Sequence, residues 1–392
     1  MSVITCIEDL RQQHQKNAPK AFYDYVDAGS YTESTYKANE ADFASLKFRQ
    51  RVAIDVDQRS TAGSMLGQAV TMPVALAPVG LTGMQWANGE LLAARAAAAF
   101  GVPFTLSTMS IASIEDVAAD TNTPFWFQLY VMRDRGFVKN LIARAKAANC
   151  SALMLTLDLQ VIGQRHKDLK NGMTVPPKIT LANVLDLATK PAWGLRMLGA
   201  KRKVFGNLSG HIKGADGLVS LSKWIATQFD PTLSWADVEM IRKEWGGKLI
   251  LKGIQDPEDA VIAQKIGVDA IVVSNHGGRQ LDGALSSIKS LPPVLTAVLE
   301  ASQAAGSIAG AKSMEVWVDG GIRSGQDVLK ALALGASGTL IGRAFNYGLG
   351  AAGQAGVTQA LEIIQKELDT SMALCGIASV AQAQRNILVN PY

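Results

Sequence analysis

Residues 269–283, DAIVVSNHGGRQLDG, indicate the fold because an apolar run is followed at once by a polar, glycine-rich loop. The run at 269–273 is short and rich in β-branched residues, which predicts a buried strand. Gly277 and Gly278 predict a turn directly after it. A short buried strand that ends in a polar loop is typical of one unit of a parallel α/β sheet.

Apolar runs of this kind recur along the chain, with helix-like stretches between most of them. Eight runs in roughly 270 residues favour a closed (β/α)8 TIM barrel over an open doubly wound sheet, because the runs are continuously apolar. In such a barrel the ends of all the strands meet at one mouth, where the active site lies. The predicted strands cover residues 73–78, 103–108, 124–130, 152–158, 248–252, 269–274, 315–319 and 337–341.

The chain of 392 residues is 48% hydrophobic, which is enough for a large core. We interpret residues 1–392 as a single domain, with a helical N-terminal extension over 1–60 and the barrel over 61–392. The extension could cover the barrel mouth. About 70 residues separate the fourth strand from the next predicted helix, so we expect a long loop insertion there.

One segment, Gly348 to Gly353, matches the G-x-G-x-x-G pattern of dinucleotide-binding folds. It does not directly follow a predicted strand, and no further strand follows the helix that it would open. We interpret it as the glycine-rich start of a helix.

The cysteines Cys6, Cys150 and Cys375 are far apart and form no C-x-x-C pair, so we expect neither a disulfide framework nor a metal site. The polar residues of the N-terminus do not form the apolar core of an export signal. We therefore expect a cytoplasmic protein, and no nucleic-acid partner.

The loop after the sixth strand carries the strongest chemical signal. His276 and Arg279 are three residues apart, so a turn between them can direct both side chains into one pocket. The imidazole can take a proton while the guanidinium holds a carboxylate. Asp158, at the end of the fourth strand, could orient the imidazole.

The last two strands end in loops suited to an anion. Asp319-Gly-Gly-Ile-Arg323 and Ile341-Gly-Arg343 lie where barrels often hold a phosphate with backbone N–H groups and arginines. Lys252, at the end of the fifth strand, could neutralise negative charge on a bound ring system, although a Schiff-base role is also open.

Four segments together resemble the FMN-dependent α-hydroxy acid oxidases and dehydrogenases: 20–25, Phe127-Gln-Leu-Tyr130, SNHGGRQLD at 274–282, and Asp319-Gly-Gly-Ile-Arg323. The resemblance extends over almost the whole chain. Within the family it is strongest to the bacterial L-lactate dehydrogenases that pass electrons to a quinone or a cytochrome. It implies bound FMN and a tetramer.

The resemblance also implies roles for individual residues. His276 would be the base, supported by Asp158, and Arg279 and Arg165 would clamp the substrate carboxylate with help from the hydroxyls of Tyr25 and Tyr130. The implied FMN-binding residues are Ala77, Pro78, Val79, Ser107, Gln128, Thr156, Lys252, Ser274, Asp319, Gly321, Arg323, Gly342 and Arg343.

Met109 stands where plant glycolate oxidases have a tryptophan, which disfavours glycolate as the substrate. The implied reaction is oxidation of an (S)-2-hydroxy acid such as L-lactate to the 2-oxo acid. (S)-mandelate dehydrogenase and an oxygen-using oxidase remain alternatives. More distant alternatives are a flavin-linked isomerase, an IMP-dehydrogenase-like barrel and a catalytically silent binding protein.

The insertion carries the main excess of positive charge, since residues 176–225 hold eight Lys and Arg against two Asp. Trp193, Leu195, Met197, Leu198 and Trp224 lie among these cations. This pattern favours peripheral contact with an anionic membrane surface, with a solvated loop or a subunit contact as alternatives.

Overall fold

The computed structural model describes residues 3–173, 178, 180–209, 224–225, 227–304 and 314–389. Across these residues, eight parallel strands form one sheet in the order β1-β8-β7-β6-β5-β4-β3-β2. Leu76 in β1 donates its N–H to the Pro103 carbonyl, so β1 also meets β2 and the barrel closes. The predicted (β/α)8 barrel is confirmed. Its strands are β1 (Val74–Leu76), β2 (Thr105–Ser107), β3 (Trp126–Tyr130), β4 (Ala152–Thr156), β5 (Lys248–Ile254), β6 (Ala270–Val273), β7 (Glu315–Asp319) and β8 (Gly338–Ile341).

Helices surround the barrel and cover its outer face with apolar side chains. In chain order they are α1 (Ile7–Asn17), α2 (Lys20–Asp27), α3 (Ser34–Ser45), α4 (Thr82–Gln85), α5 (Gly89–Phe100), α6 (Ile114–Thr121), α7 (Arg135–Ala147), α8 (His166–Lys170), α9 (Leu181–Ala188), α10 (Pro191–Leu198), α11 (Trp235–Trp245), α12 (Pro257–Ile266), α13 (Ser287–Ala304), α14 (Gly325–Ala333) and α15 (Arg343–Leu374).

The N-terminal extension is helical, as predicted, and comprises α1, α2 and α3. Helix α1 packs against α15, and α2 contributes Tyr25 and Val26 to the wall of the cavity at the barrel mouth. A two-residue antiparallel pairing of Lys47–Phe48 with Leu388–Val389 joins the end of this extension to the C-terminal segment. The extension therefore helps to enclose the cavity.

The lower part of the barrel interior is filled by large side chains. Trp126 of β3 stacks on Trp317 of β7, with ring centroids 5.2 Å apart and planes within 8° of parallel. The hairpin formed by Gly63–Met65 and Gln68–Val70 adds Met65 to this buried cluster. This packing fills the interior below the polar residues at the carboxyl ends of the strands.

The G-x-G-x-x-G segment lies inside α15, so the expectation that it begins a helix is wrong. Helix α15 begins at Arg343, directly after β8, and its backbone leaves helical geometry at Ala352 and Gly353. A Cβ atom at Gly350 would lie 1.9 Å from the His14 ring, because α1 and α15 approach closely there. The pattern thus serves helix packing and a kink.

The insertion after β4 is more ordered than the predicted loop, since it contains α8, α9 and α10. The Thr180 hydroxyl caps α9 by accepting a hydrogen bond from the Asn183 N–H, and Pro191 occupies the first turn of α10. The helix-capping residue Thr180 and the helix-starting residue Pro191 can both be identified in the sequence. None of the described helices is long and apolar enough to cross a bilayer.

The insertion's apolar residues divide into two sets. Trp193 and Met197 are buried against the barrel, whereas Leu195 and Leu198 are exposed. The prediction that these residues jointly contact lipid headgroups is therefore wrong for Trp193 and Met197, which are buried. Residues 210–223, which include Lys213 and Lys223, lie outside the described part of the chain.

Candidate active site

Inward-facing residues at the ends of the eight strands form a ring. Their positions follow from the two-residue period of a β-strand, which directs every second side chain to the same face. In β3, Trp126 faces the barrel interior, so Gln128, two residues on, faces it too. The same step leads from Ile250 to Lys252 and from Trp317 to Asp319. The complete ring, one residue from each strand or the position just after it, is Ala77, Ser107, Gln128, Thr156, Lys252, Ser274, Asp319 and Gly342.

Lys252 is the charged centre of this ring. Its Nζ atom donates to the Ser274 hydroxyl at 2.9 Å and lies 3.0 Å from Oδ2 of Asp319. Burial lowers the pKa of Lys252, but the negative charges of Asp319 and Asp158 outweigh that effect, and the net shift is upward. The ring therefore carries a buried ammonium group at neutral pH.

Several buried polar atoms of the ring lack a hydrogen-bond partner within the described part of the chain. They are Nε2 of Gln128, Oγ1 of Thr156 and Oδ1 of Asp319. An unpaired buried polar atom costs roughly 1–3 kcal/mol, so such atoms call for an explanation. A flavin ring and its ribityl chain offer both donors and acceptors, and could pair these atoms. The residues present thus fit FMN.

The loops after β7 and β8 bring two arginines and two glycines to the same cavity: Gly321, Arg323, Gly342 and Arg343 all line it. Arg323 donates to Glu40 at 2.9 Å. Arg343 donates to backbone carbonyls of α2 and of the loop after β6, so it also fastens the extension to the barrel. This positive, glycine-lined side of the cavity is suited to a phosphate group.

His276 and Asp158 form a hydrogen-bonded pair at the cavity. Nδ1 of His276 lies 2.9 Å from Oδ1 of Asp158. Burial raises the pKa of Asp158, but the charge and hydrogen bond of His276 outweigh it, so the net shift is downward. An ionised Asp158 requires the proton of a neutral imidazole to sit on Nδ1, which leaves Nε2 free to accept one. This arrangement is chemically suited to a general base.

The backbone of the loop after β6 is unusual. His276, Gly277 and Gly278 have φ angles of 59°, 66° and 71°, all in the left-handed region. A Cβ at Gly278 would lie 2.5 Å from the Tyr36 backbone nitrogen, so only glycine fits there. The turn predicted at Gly277 and Gly278 is present, and the strain at His276 is of the kind found at functional sites.

Four further residues surround the imidazole. Arg279, Arg165, Tyr25 and Tyr130 all line the cavity with His276. Burial and the charge of Arg165 lower the pKa of Arg279 to about 10, so Arg279 stays cationic at neutral pH. Burial and the charge of Asp158 raise the pKa of the Tyr130 hydroxyl, which therefore remains a donor. Two cations and two hydroxyls can together bind a carboxylate and a neighbouring hydroxyl group.

Most of these groups line one cavity of about 730 Å³. Each of the predicted catalytic and substrate-binding residues lines it, except Asp158, which reaches it through His276. Of the predicted cofactor residues, Gln128 and Ser274 do not line the cavity but hydrogen-bond to Ser107 and Lys252, which do. The predicted site residues are thus brought together.

Two residues that support the site were missed from the sequence. Asn207, which belongs to the insertion, is buried and donates to the carbonyls of Ser107 and Thr108. Glu90 is buried and accepts from the N–H groups of Gly83 and Ile111, which joins the loops after β1 and β2. Burial raises the pKa of Glu90. A single acidic residue between two long uncharged stretches was the available signal for Glu90.

Comparison with known proteins agrees with this geometry. The family model described as FMN-dependent dehydrogenase matches residues 14–390. The chain belongs to that family. It is therefore an FMN-dependent oxidoreductase, as the ring residues suggested.

Relatives of this FMN-dependent dehydrogenase cover nearly its full length. The chain is 45% identical over 388 residues to an L-lactate dehydrogenase of Caulobacter vibrioides, covering 98% of both chains. It is 44% identical over 389 residues to an L-lactate dehydrogenase of Ectopseudomonas mendocina, covering 99% of both. A solved structure of monotopic membrane protein (S)-mandelate dehydrogenase superposes with a TM-score of 0.92, 33% identity and full coverage of both chains. The protein is a 2-hydroxy acid dehydrogenase of this family.

Proposed function

We propose that the protein oxidises L-lactate to pyruvate, with His276 as the base. The observation that carries this proposal is the His276–Asp158 pair, which lies in one cavity with Arg279 and the proposed FMN-binding ring. The relatives at 44–45% identity are named L-lactate dehydrogenases, which supports lactate as the substrate.

The substrate carboxylate binds the guanidinium groups of Arg279 and Arg165. Nη1 of Arg279 is fixed by the carbonyls of Tyr25 and Ala28 at 2.6 and 2.9 Å. Because that nitrogen is held, the rest of the planar group has a set direction for a bidentate contact. The hydroxyls of Tyr25 and Tyr130 complete the binding of the anion and of the substrate hydroxyl.

Nε2 of His276 takes the proton that the substrate loses. Asp158 then stabilises the imidazolium through Nδ1, because an ionised carboxylate 2.9 Å away favours the charged ring. FMN, when bound, supplies the acceptor for the two electrons removed from the substrate. Lys252, Ser107, Gln128, Thr156, Ser274 and Asp319 would hold its ring and ribityl chain beside the backbone of Ala77, Pro78 and Val79, and Gly321, Arg323, Gly342 and Arg343 would hold its phosphate.

A second candidate substrate is (S)-mandelate. Met109 and Tyr25 both lie close to Gly80, where a Cβ would be 3.1 Å from the Tyr25 hydroxyl and 3.2 Å from the Met109 Cβ. A flexible thioether at that wall can make room for a phenyl group. The likeness to the solved (S)-mandelate dehydrogenase supports this candidate.

Anaerobic reduction of the bound flavin tests the proposal. The purified protein is mixed with L-lactate, D-lactate, (S)-mandelate or glycolate, and the loss of the yellow colour is timed. We expect L-lactate to bleach it at least tenfold faster than the others. Faster bleaching by (S)-mandelate would establish the second candidate, and no bleaching by either acid would refute both.

We also propose that the enzyme rests on a membrane surface through α9 and α10. Leu181, Leu185, Leu195 and Leu198 are between 61% and 75% exposed, which is unusual for so many leucines in a short segment. Cations of the insertion contribute less than the sequence suggested, because Lys201 and Arg202 both pair with Asp116. Flotation with vesicles containing anionic lipid tests this attachment: loss of binding in a Leu185→Asp/Leu198→Asp variant is expected, and unchanged binding would refute it.

A further inference from the structure

The loop between β2 and α6, residues 108–113, contributes a wall to the cavity of about 730 Å³. Met109 of this loop lines the cavity together with Tyr25 and His276. The Met109 carbonyl accepts a hydrogen bond from the Leu81 N–H at 3.0 Å, so the loop also contacts the segment after β1. The depth to which the Met109 side chain enters the cavity therefore depends on how this loop is held.

Asn207 of the insertion holds the loop at both of its ends. Its Nδ2 atom donates to the carbonyls of Ser107 and Thr108 at 3.2 and 3.4 Å, and to the Ser110 hydroxyl at 3.0 Å. Its Oδ1 atom accepts from the Ile114 N–H at 2.9 Å. The side chain is fully buried. Both halves of the amide are thus used, and a group that can only accept hydrogen bonds could not replace it.

The backbone next to Asn207 also lies against the loop. The Gly206 N–H donates to the carbonyls of Ser110 and Ile111 at 3.2 and 3.1 Å. A Cβ atom at Gly206 would lie 2.6 Å from the Ile111 oxygen, so only glycine allows this approach. Nη1 of Arg144, on α7, donates to the Asn207 carbonyl at 2.9 Å. The insertion is therefore fixed to the barrel at the point where it holds the loop.

Glu90 of α5 holds the same loop through a different hydrogen bond. Its Oε1 atom accepts from the N–H groups of Ile111 and Gly83, both at 2.9 Å. The residue is only 2% exposed, and its Oε2 atom has no hydrogen-bond partner among the described residues. One oxygen makes both contacts, so the neutral amide of a glutamine could supply them equally well.

We propose that Asn207 and Glu90 are positioning residues that hold Met109 in the cavity and thereby favour a short 2-hydroxy acid over one with a bulky side chain. This inference rests on the proposed function, because it concerns the choice between L-lactate and (S)-mandelate. Neither residue is among those of the described chain that line the cavity, so both act through the loop. Once the loop is loosened, the flexible thioether can retreat and leave room for a phenyl group.

Anaerobic bleaching of the FMN-loaded enzyme, timed over a range of acid concentrations, tests the role of Asn207. Asn207→Asp keeps the size of the side chain but replaces its donor with an oxygen that faces two carbonyls. We expect the ratio of bleaching efficiencies, L-lactate over (S)-mandelate, to fall at least fivefold, through the apparent Kd values more than through the limiting rates. Asn207→Ala removes the donor without adding charge and should act in the same direction. Asn122→Asp, at the exposed end of α6, is the matched control and should leave the ratio unchanged.

Two substitutions at Glu90 give an independent test. Glu90→Ala removes the acceptor of both N–H groups and should lower the ratio in the same direction. Glu90→Gln keeps an oxygen at that place and should retain the wild-type ratio. This pair decides the question if neither Asn207 variant folds.

A double-mutant cycle shows whether the effect passes through Met109. In a Met109→Ala background, Asn207→Asp or Glu90→Ala should change the ratio less than twofold, because the side chain that they position is absent. An unchanged ratio in the single variants, an equal loss of efficiency with both acids, or the same shift with and without Met109 would each overturn the proposal. Failure of the wild-type flavin to bleach with either acid would instead refute the proposed function.

Discussion

Nδ1 of His276 lies 2.9 Å from Oδ1 of Asp158, although 118 residues separate them in the chain. The contact joins the ends of β6 and β4, and it determines which ring nitrogen is available to the substrate. The proposed chemistry depends on this pair, so the first predictions concern it.

His276→Gln should lower kcat by about 10²- to 10⁴-fold, the usual contribution of a general base. The flavin should stay bound, because the ring residues that would hold it are unchanged. Steady-state rates and the flavin absorbance of the purified variant check both points. His166→Gln, on α8 and outside the cavity wall, is the control and should keep normal activity. A His276 variant with full activity would remove the proposed base.

Gly253→Ala should displace Asp158. A Cβ at Gly253 would lie 2.6 Å from the Asp158 carboxyl carbon, and its φ of 100° adds strain. We expect kcat to fall at least tenfold with little change in KM. Gly267→Ala is the matched control, since its φ of 77° imposes similar strain but no atom lies within 4 Å of the new Cβ. It should cost about 1 kcal/mol of stability and no activity. Equal activity losses in both variants would contradict a role in positioning Asp158.

Arg279→Lys should raise KM for L-lactate roughly 10- to 100-fold, because a lysine lacks the fork that holds two backbone carbonyls and a carboxylate together. Bleaching rates across a range of lactate concentrations give the affinity and the rate of reduction separately. Arg95→Lys alters a surface pair with Asp120 and should leave both unchanged. An unaltered KM in the Arg279 variant would mean that the carboxylate binds elsewhere.

Removing FMN should lower the thermal midpoint, and adding it back should restore the midpoint. Ligand at 100 times its Kd stabilises a protein by about 2.7 kcal/mol. Riboflavin lacks the phosphate and should restore the midpoint less well. Arg323→Gln should reduce the difference between the thermal midpoints reached with FMN and with riboflavin. Glu40→Gln breaks the Arg323 ion pair but keeps the guanidinium, so it should preserve that difference. Equal stabilisation of the wild type by riboflavin and FMN would contradict the phosphate site.

Asp27, the last residue of α2, should make the packing of this helix against the rest of the protein less stable at low pH. Burial raises the pKa of Asp27, but hydrogen bonds from Arg11 and Tyr347 outweigh this and lower the pKa to about 2 from its ordinary value of 3.8. A depressed folded-state pKa stabilises the fold above pH 4, and the contribution of roughly 2 kcal/mol is lost as the pH falls from about 4 to 2. The thermal midpoints of the wild type and Asp27→Asn should differ at pH 7 and converge near pH 2. A constant difference would contradict this linkage.

The eight strands could be predicted because each is a short apolar run with polar residues at its end, and that pattern is local. Lys252, Asp319 and Gln128 could be placed at the mouth of the barrel because each lies at the end of a predicted strand. Loop motifs with their glycines located His276 and the segments that we propose bind the FMN phosphate. These features need only the residues immediately around them.

Contacts between distant segments could not be predicted in the same way. Asn207 donates to carbonyls about 100 residues earlier, and nothing near it in the sequence specifies its partner. The room that Gly253 leaves for Asp158 depends on the packing of β4 against β5. Helix α9 was missed because its apolar residues face outward and toward the cavity, so they do not show the single buried stripe of a core helix.

Carbonyl groups near the start of the chain hold two arginines from its second half. Tyr25 and Ala28 accept from Arg279, and Val26 and Ala28 accept from Arg343. During synthesis, residues 25–28 therefore leave the ribosome early, whereas the two arginines that bind their carbonyl groups leave it late. A nascent chain that stops short of residue 343 lacks part of the wall of the shared cavity, so the site is complete only after most of the polypeptide has been made.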